Sequence, residues 1–352
     1  MNGVRPLLVT QDPDLIDDVL RLAAAGSVEV HLAPDAEGAR SAWALAPLVL
    51  VGADRATALA AARLPRRRDV VVVSRDPSPD DWQVAVTLGA EHVARLPDAE
   101  RWIIDRLADS GEGAPRNGAI IAVVGAGGGA GASTLAVTLS LAAAAQGSRT
   151  LLVDADPLGG GIDLLLGAED LPGVRWADLT DTRGRLSATT LQQHLPSIGG
   201  VSVLSWGRDG TSSLPADAVA SVLDAGERGS DLVIVDVARC LDASSDVVLA
   251  RAHDVLLVTT PHVRAAAAAS RLAETLQARS TSVRAVLRAD ARGIDEDAVT
   301  SAIGLPVAAR LPHTPALVRC ADDGEPPPVR DAYGRAVARL VADLVPGHGR
   351  VA

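Results

Sequence analysis

Short blocks of Val, Leu, Ile and Ala recur along the chain, and each is followed by a segment whose apolar positions return every three or four residues. Blocks this uniformly apolar suit strands that are covered on both faces. In the first hundred or so residues they fall at Pro6–Thr10, Val28–Leu32, Leu48–Val51, Val70–Val73 and His92–Arg95. Helical patterns cover Asp12–Ala25, Ala36–Ala44, Asp81–Leu88 and Asp98–Leu107, with Asp12 placed to cap the first. A second series runs through Ala119–Val124, Thr150–Val153, Asp231–Asp236, Val255–Thr259, Val283–Leu287 and Val307–Arg310. Pro215–Ala225, Ala265–Ala278 and Asp295–Ala302 read as helices between them. Strands alternating with helices build parallel sheets with helices on both faces. The pattern predicts an α/β protein with two doubly wound parallel-sheet domains, a flavodoxin-type one followed by a larger one.

Asp109-Ser-Gly-Glu-Gly-Ala-Pro-Arg-Asn-Gly118 separates the two series and has the composition of a linker. The expected organisation is a first domain over 1–109, a linker over 110–118 and a second domain over 119–352.

Composition narrows the chemistry. The chain lacks Phe and Lys, and all 33 of its Lys-plus-Arg residues are Arg. Its cores must therefore be aliphatic, and any cationic group in a site must be a guanidinium. A net charge of −11 excludes a broad nucleic-acid-binding face. Cys240 and Cys320 match no metal spacing and suit two unpaired thiols in a reducing compartment. No signal peptide and no apolar run of membrane-spanning length is visible, so the expected location is cytoplasmic. Val337, Leu340, Val341, Leu344 and Val345 form an apolar helix face near the C-terminus, with Arg335 and Arg339 nearby. It reads as a last helix packed on its own sheet, so membrane association is expected to be indirect, through partners at the inner face of the membrane.

The strand Ala119–Val124 runs into Gly125-Ala-Gly-Gly-Gly-Ala-Gly-Ala-Ser-Thr134 and then a long aliphatic helix. Glycines in such a turn allow positive φ and close approach, so that backbone N–H groups and the helix N-terminus converge on a phosphate. Two other strands of the series end in acids, Asp154-Ala-Asp156 and Asp236. In an open α/β sheet all three would gather at the carboxyl ends of the strands.

This segment resembles the deviant Walker A motif of the MinD/ParA superfamily of P-loop proteins. The resemblance implies that Gly127, Gly128, Gly129, Ala130, Gly131, Ala132, Ser133 and Thr134 cradle the phosphates of ATP or ADP. It implies that Ser133 and Asp236 hold Mg2+, with Asp154 beside them, and that Asp156 is the catalytic acid that orients the attacking water. The family's two lysines fall here on Gly127 and Ala132. Loss of one preorganised charge commonly costs a factor of roughly 100–1,000 in rate, so fast hydrolysis is not expected. Arg149, Arg208 and Arg239 are candidates to replace the missing charge. The family's adenine-reading Asn is also absent from Val286-Leu287-Arg288-Ala289.

The first domain resembles a response-regulator receiver, through Leu88-Gly-Ala-Glu-His-Val-Ala-Arg-Leu-Pro97. The acidic pair of a receiver is here Gln11 and Asp12, the phosphorylated Asp is Gly52, with Asp54 two residues late, and the Lys is Leu96. The implied state is a pseudo-receiver. This domain order, with Asp156-Pro-Leu-Gly-Gly-Gly-Ile-Asp-Leu-Leu-Leu-Gly167, is similar to the CpaE-like branch. Its actinobacterial members include septum site-determining proteins and relatives found with Tad/Flp pilus and secretion genes. The resemblance implies a homodimer working with cell-division or pilus and secretion machinery. A pseudo-ATPase scaffold acting only through protein contacts remains an alternative.

Overall fold

The computed structural model describes residues 5–26, 28–62, 64–111, 118–180, 186–207 and 214–344. The chain divides into two compact units, Met1–Pro115 and Arg116–Ala352.

The first unit is a five-stranded parallel sheet of β1 (Leu7–Val9), β2 (His31–Ala33), β3 (Val49–Gly52), β4 (Val70–Ser74) and β5 (His92–Arg95), ordered β2-β1-β3-β4-β5. Helices cover both faces, because alternate strand residues feed two separate aliphatic cores. Leu7, Val9, Val49 and Val51 lie in one, and Leu8, Leu48 and Leu50 in the other. Asp12 caps the helix Pro13–Ala25 as expected, accepting from the amides of Asp14 and Leu15. The helix Ala53–Ala61 was not anticipated. It presents mainly small Ala side chains, which carry little periodic signal. The helix expected to end at Leu107 continues to Gly111, into the segment read as linker.

Among the described residues the second unit holds eight strands, β6 (Ala119–Gly125), β7 (Thr150–Ala155), β8 (Ser197–Ile198), β9 (Val201–Leu204), β10 (Leu232–Val237), β11 (Asp254–Thr259), β12 (Val283–Arg288) and β13 (Val307–Leu311). Their order is β13-β12-β11-β6-β10-β7-β9-β8, parallel except for the β8–β9 hairpin. The sequence reading lacked β8 and β9, which are short and lie at one edge. The helix Ala132–Ala145 buries Leu135, Val137 and Leu139 on one face of the sheet. The C-terminal helix Ala332–Leu344 packs in the same cluster through Tyr333, Val337, Leu340, Val341 and Leu344. This is the packed-back helix foreseen above; Val345 lies outside the described residues. Among the described residues no helix is long and apolar enough to cross a membrane.

Candidate functional site

The strand order puts β6 at the centre, flanked by β10 and β11. The Gly-rich loop leaves its carboxyl end. Gly127 to Ala130 close a turn in which the Ala130 amide donates to the Gly127 carbonyl at 3.2 Å. Gly129, third in that turn, has a φ of 72°, and Gly131, which caps the next helix, a φ of 95°. Both are left-handed positions that a side chain would strain. Ala130 is buried in the core, whereas Gly128 and Gly129 are exposed. A Cβ on Gly127, Gly128 or Gly129 would meet nothing within 4 Å, so one face of the loop is open. Ala132, Ser133 and Thr134 form the first turn of the helix Ala132–Ala145.

The acids gather at the same edge. Asp154 and Asp236 are direct partners across β7 and β10, so their side chains leave the same face of the sheet. They are 2% and 5% exposed. Burial pushes Asp236 up to about 8, and the charges of Asp154 and Asp156 add to the rise, while a hydrogen bond from Ser133 opposes it. Burial likewise pushes Asp154 up to about 7, against hydrogen bonds from two amides. Those amides are Asp156 at 3.1 Å and Ile162 at 3.0 Å. The Asp154 carbonyl in turn accepts from Trp176 Nε1 at 2.6 Å. Asp154 is thus both a brace for the Asp156–Ile162 loop and an acid beside Asp236. Asp156 lies half-buried, and its Oδ1 accepts from the Leu158 amide at 3.1 Å.

Mg2+ fits this set. It binds through one or two carboxylates, hydroxyls, waters and phosphate oxygens, and the Ser133 hydroxyl lies beside Asp236, whose proton affinity it lowers. Two adjacent buried carboxylates, one raised by the charge of the other, also form a place where a divalent cation relieves repulsion.

Of the arginines proposed to replace the missing lysines, Arg149 precedes β7, and its amide donates to Asp231 at the amino end of the strands. It therefore stands at the wrong edge of the sheet. Arg239 is exposed beyond the carboxyl end of β10, and Arg208 lies outside the described residues. The guanidinium that does reach the loop was not among the candidates. Arg288, the last residue of β12, donates from Nη2 to the Gly129 carbonyl at 2.8 Å. The sequence signal for it was its place at a strand end.

In the first unit the receiver positions form a closed polar knot. Asp54 accepts from Thr10 Oγ1 at 2.7 Å, from the Gln11 amide at 2.9 Å and from Arg55 Nε at 3.1 Å. Arg55 also donates to Gln11 Oε1 at 2.6 Å. A Cβ on Gly52 would stand 2.3 Å from Asp54 Oδ1 and 2.6 Å from Thr10 Oγ1. The volume of a phosphorylatable aspartate is already filled. Leu96 is buried, and among the described residues no three His, Cys, Asp or Glu side chains are grouped to hold a metal.

Comparison with known proteins agrees with this architecture. A family model described as Rv3660c-like, CheY-like N-terminal domain matches residues 9–118. A second, the CobQ/CobB/MinD/ParA nucleotide binding domain, matches residues 121–327. An uncharacterized protein of Mycobacterium tuberculosis H37Rv, Rv3660c, is 38% identical over 355 residues, spanning 97% of this chain and 99% of its own length. A protein of Nephroselmis olivacea named as a septum site-determining MinD is 25% identical over 191 residues, 52% of this chain and 70% of its own length. Among solved structures, a ParA family ATPase from Chlorobium tepidum has a TM-score of 0.57 at 20% identity, covering 64% of this chain and 97% of that one. MinD with Mg-ADP from Pyrococcus horikoshii has a TM-score of 0.52 at 19% identity, covering 66% and 97%. At such identities the structural likeness speaks to the fold. With a Gly-rich loop and paired acids at one sheet edge in one unit and a receiver-like sheet in the other, the chain belongs to the CobQ/CobB/MinD/ParA nucleotide-binding domain family and carries a CheY-like domain ahead of that domain.

Proposed function

We propose that this protein is a nucleotide-controlled spatial regulator rather than a fast ATPase. The observation that carries the reading is the convergence of the open Gly-rich loop and the buried Asp154–Asp236 pair at one sheet edge. On this reading the loop backbone of Gly127–Thr134 and the helix N-terminus bind the phosphates of ATP or ADP. Ser133 and Asp236 hold Mg2+, with Asp154 as brace and neighbour. Asp156 would orient the attacking water. Gly127 and Ala132 offer no lysine to neutralise a leaving phosphate, so slow turnover and a long-lived bound state follow. Nucleotide state would bias homodimer formation and so the display of a partner-binding surface. Septum placement or the positioning of pilus and secretion machinery is the proposed setting, in the cytoplasm, with membrane recruitment through partners. Titration calorimetry with Mg-ATP and Mg-ADP tests this. Binding that is weakened in Asp236→Ala supports the reading, and no binding at millimolar nucleotide ends it.

A second reading has its own support in the closed knot of Thr10, Gln11, Asp54 and Arg55. One unit has kept its fold after its acidic site was filled in, and the other could have done the same. A pure scaffold would localise and bind partners equally well with Asp236→Ala or Ser133→Ala. Mislocalisation of those variants would rule it out.

A further inference from the structure

Arg288 occupies a position that the absence of lysine makes informative. Its side chain lies along the loop, with Cδ, Nε and Cζ at 3.4, 3.6 and 3.7 Å from the place of a Cβ on Gly131. At these distances the side chain is in van der Waals range of the loop backbone at Gly131. One nitrogen is bonded to the Gly129 carbonyl, a neutral group, and among the described residues no carboxylate pairs with Arg288. Arg284, on the same strand, is neutralised by both Asp254 and Asp343. The Arg288 charge is left standing at the loop.

Two further observations describe its surroundings. The Arg288 Nε is shielded from solvent and has no hydrogen-bond partner. Native structures leave few donors of charged groups in that state, because the lost hydration is not returned. Tyr333, buried in the C-terminal helix, lies within range of the Arg288 charge, which lowers its otherwise raised pKa.

We propose that Arg288 is the fixed positive charge of this phosphate loop, standing in from β12 for the lysines absent at Gly127 and Ala132, and that it selects the polyphosphate of a nucleotide over an uncharged nucleoside. The inference rests on the nucleotide-binding reading above. Arginine suits the task, because its planar group stacks against backbone and keeps its charge when partly desolvated. Acting from the outer side of the loop, it contributes field and loop order without entering the amide cradle.

The test is titration calorimetry on the full chain with Mg-ATP, tripolyphosphate and adenosine, for wild type, Arg288→Gln and Arg288→Lys, at low and high salt. Thermal unfolding of each variant confirms folding. Arg288→Gln keeps a donor for Gly129 and removes the charge. The expected result is a loss of about tenfold or more for Mg-ATP and tripolyphosphate, typical of one close charge in a partly buried site. Adenosine binding should be unchanged, and the salt dependence of polyphosphate binding should shrink. Arg288→Lys should recover most of the affinity. Polyphosphate binding by Arg288→Gln that equals wild type overturns the proposal while nucleotide binding stands, and so does an equal loss for adenosine. A wild type that binds none of the three overturns both.

Discussion

Asp154 and Asp236 face each other as paired residues of neighbouring parallel strands, both almost wholly removed from water. Burial is the main cause of their raised proton affinity, and each is a like charge to the other. Such a pair opposes folding unless a cation or a proton neutralises it. Asp236→Asn should therefore stabilise the metal-free protein at pH 8 by about 1–3 kcal/mol, while it weakens Mg2+-dependent nucleotide binding. Denaturant unfolding with and without Mg-ATP checks both halves. A destabilised variant would show that the carboxylate is held by partners rather than poised for a metal.

The loop glycines separate by role. Gly131, at a φ of 95° and against Arg288, should not tolerate a side chain. Gly131→Ala is expected to cost about 1–2 kcal/mol from the left-handed backbone alone. Gly128→Ala meets open space and should leave stability within about 0.5 kcal/mol of wild type. Equal unfolding midpoints for the two variants would contradict this assignment.

In the receiver-like unit, restoring the aspartate at the strand end should not restore phosphorylation. Gly52→Asp places a Cβ 2.8 Å from the Thr10 Cβ as well as against the Asp54 carboxylate. Overpacking of this kind costs about 1–3 kcal/mol. A stable variant that takes up phosphate from acetyl phosphate would refute the closed-knot description.

Asp54 should give that unit a small acid-sensitive term. Burial raises its proton affinity, but hydrogen bonds from Thr10, the Gln11 amide and Arg55 outweigh it, and its pKa falls below the ordinary 3.8. A group lowered on folding stabilises above its unfolded pKa and loses that contribution as pH falls through the folded value. The advantage of wild type over Asp54→Asn should be constant above about pH 5 and fade below the ordinary value. Its size is on the order of 0.5 kcal/mol after solvent screening. Urea unfolding across that range provides the measurement, and an advantage that persists at pH 2 would contradict it.

Parts of this protein were legible because they depend on near neighbours in the chain. Apolar blocks separated by helical periods fixed the α/β class and the order of the main elements to within one to four residues at most ends. Asp12 as a cap, the strand–loop–helix at Gly125–Thr134 and the acids Asp154 and Asp236 at strand ends all follow from local patterns. Where local signals were weak, the reading failed. The Ala-rich helix Ala53–Ala61 has few large apolar positions, and β8 and β9 are too short to announce themselves beside Gly199 and Gly200.

The sequence by itself determined that a Gly-rich loop joins an apolar strand to an aliphatic helix and that no lysine lies in it. Only the tertiary structure decided which charge stands near that loop. Arg288 and Gly129 are 159 positions apart and meet because β12, β11 and β6 lie in succession in one sheet. Arg149 is far closer in sequence, yet it stands before the first residue of β7, at the opposite edge. Charge acts through space over a few ångströms, and the order of strands, which no local pattern encodes, sets those distances.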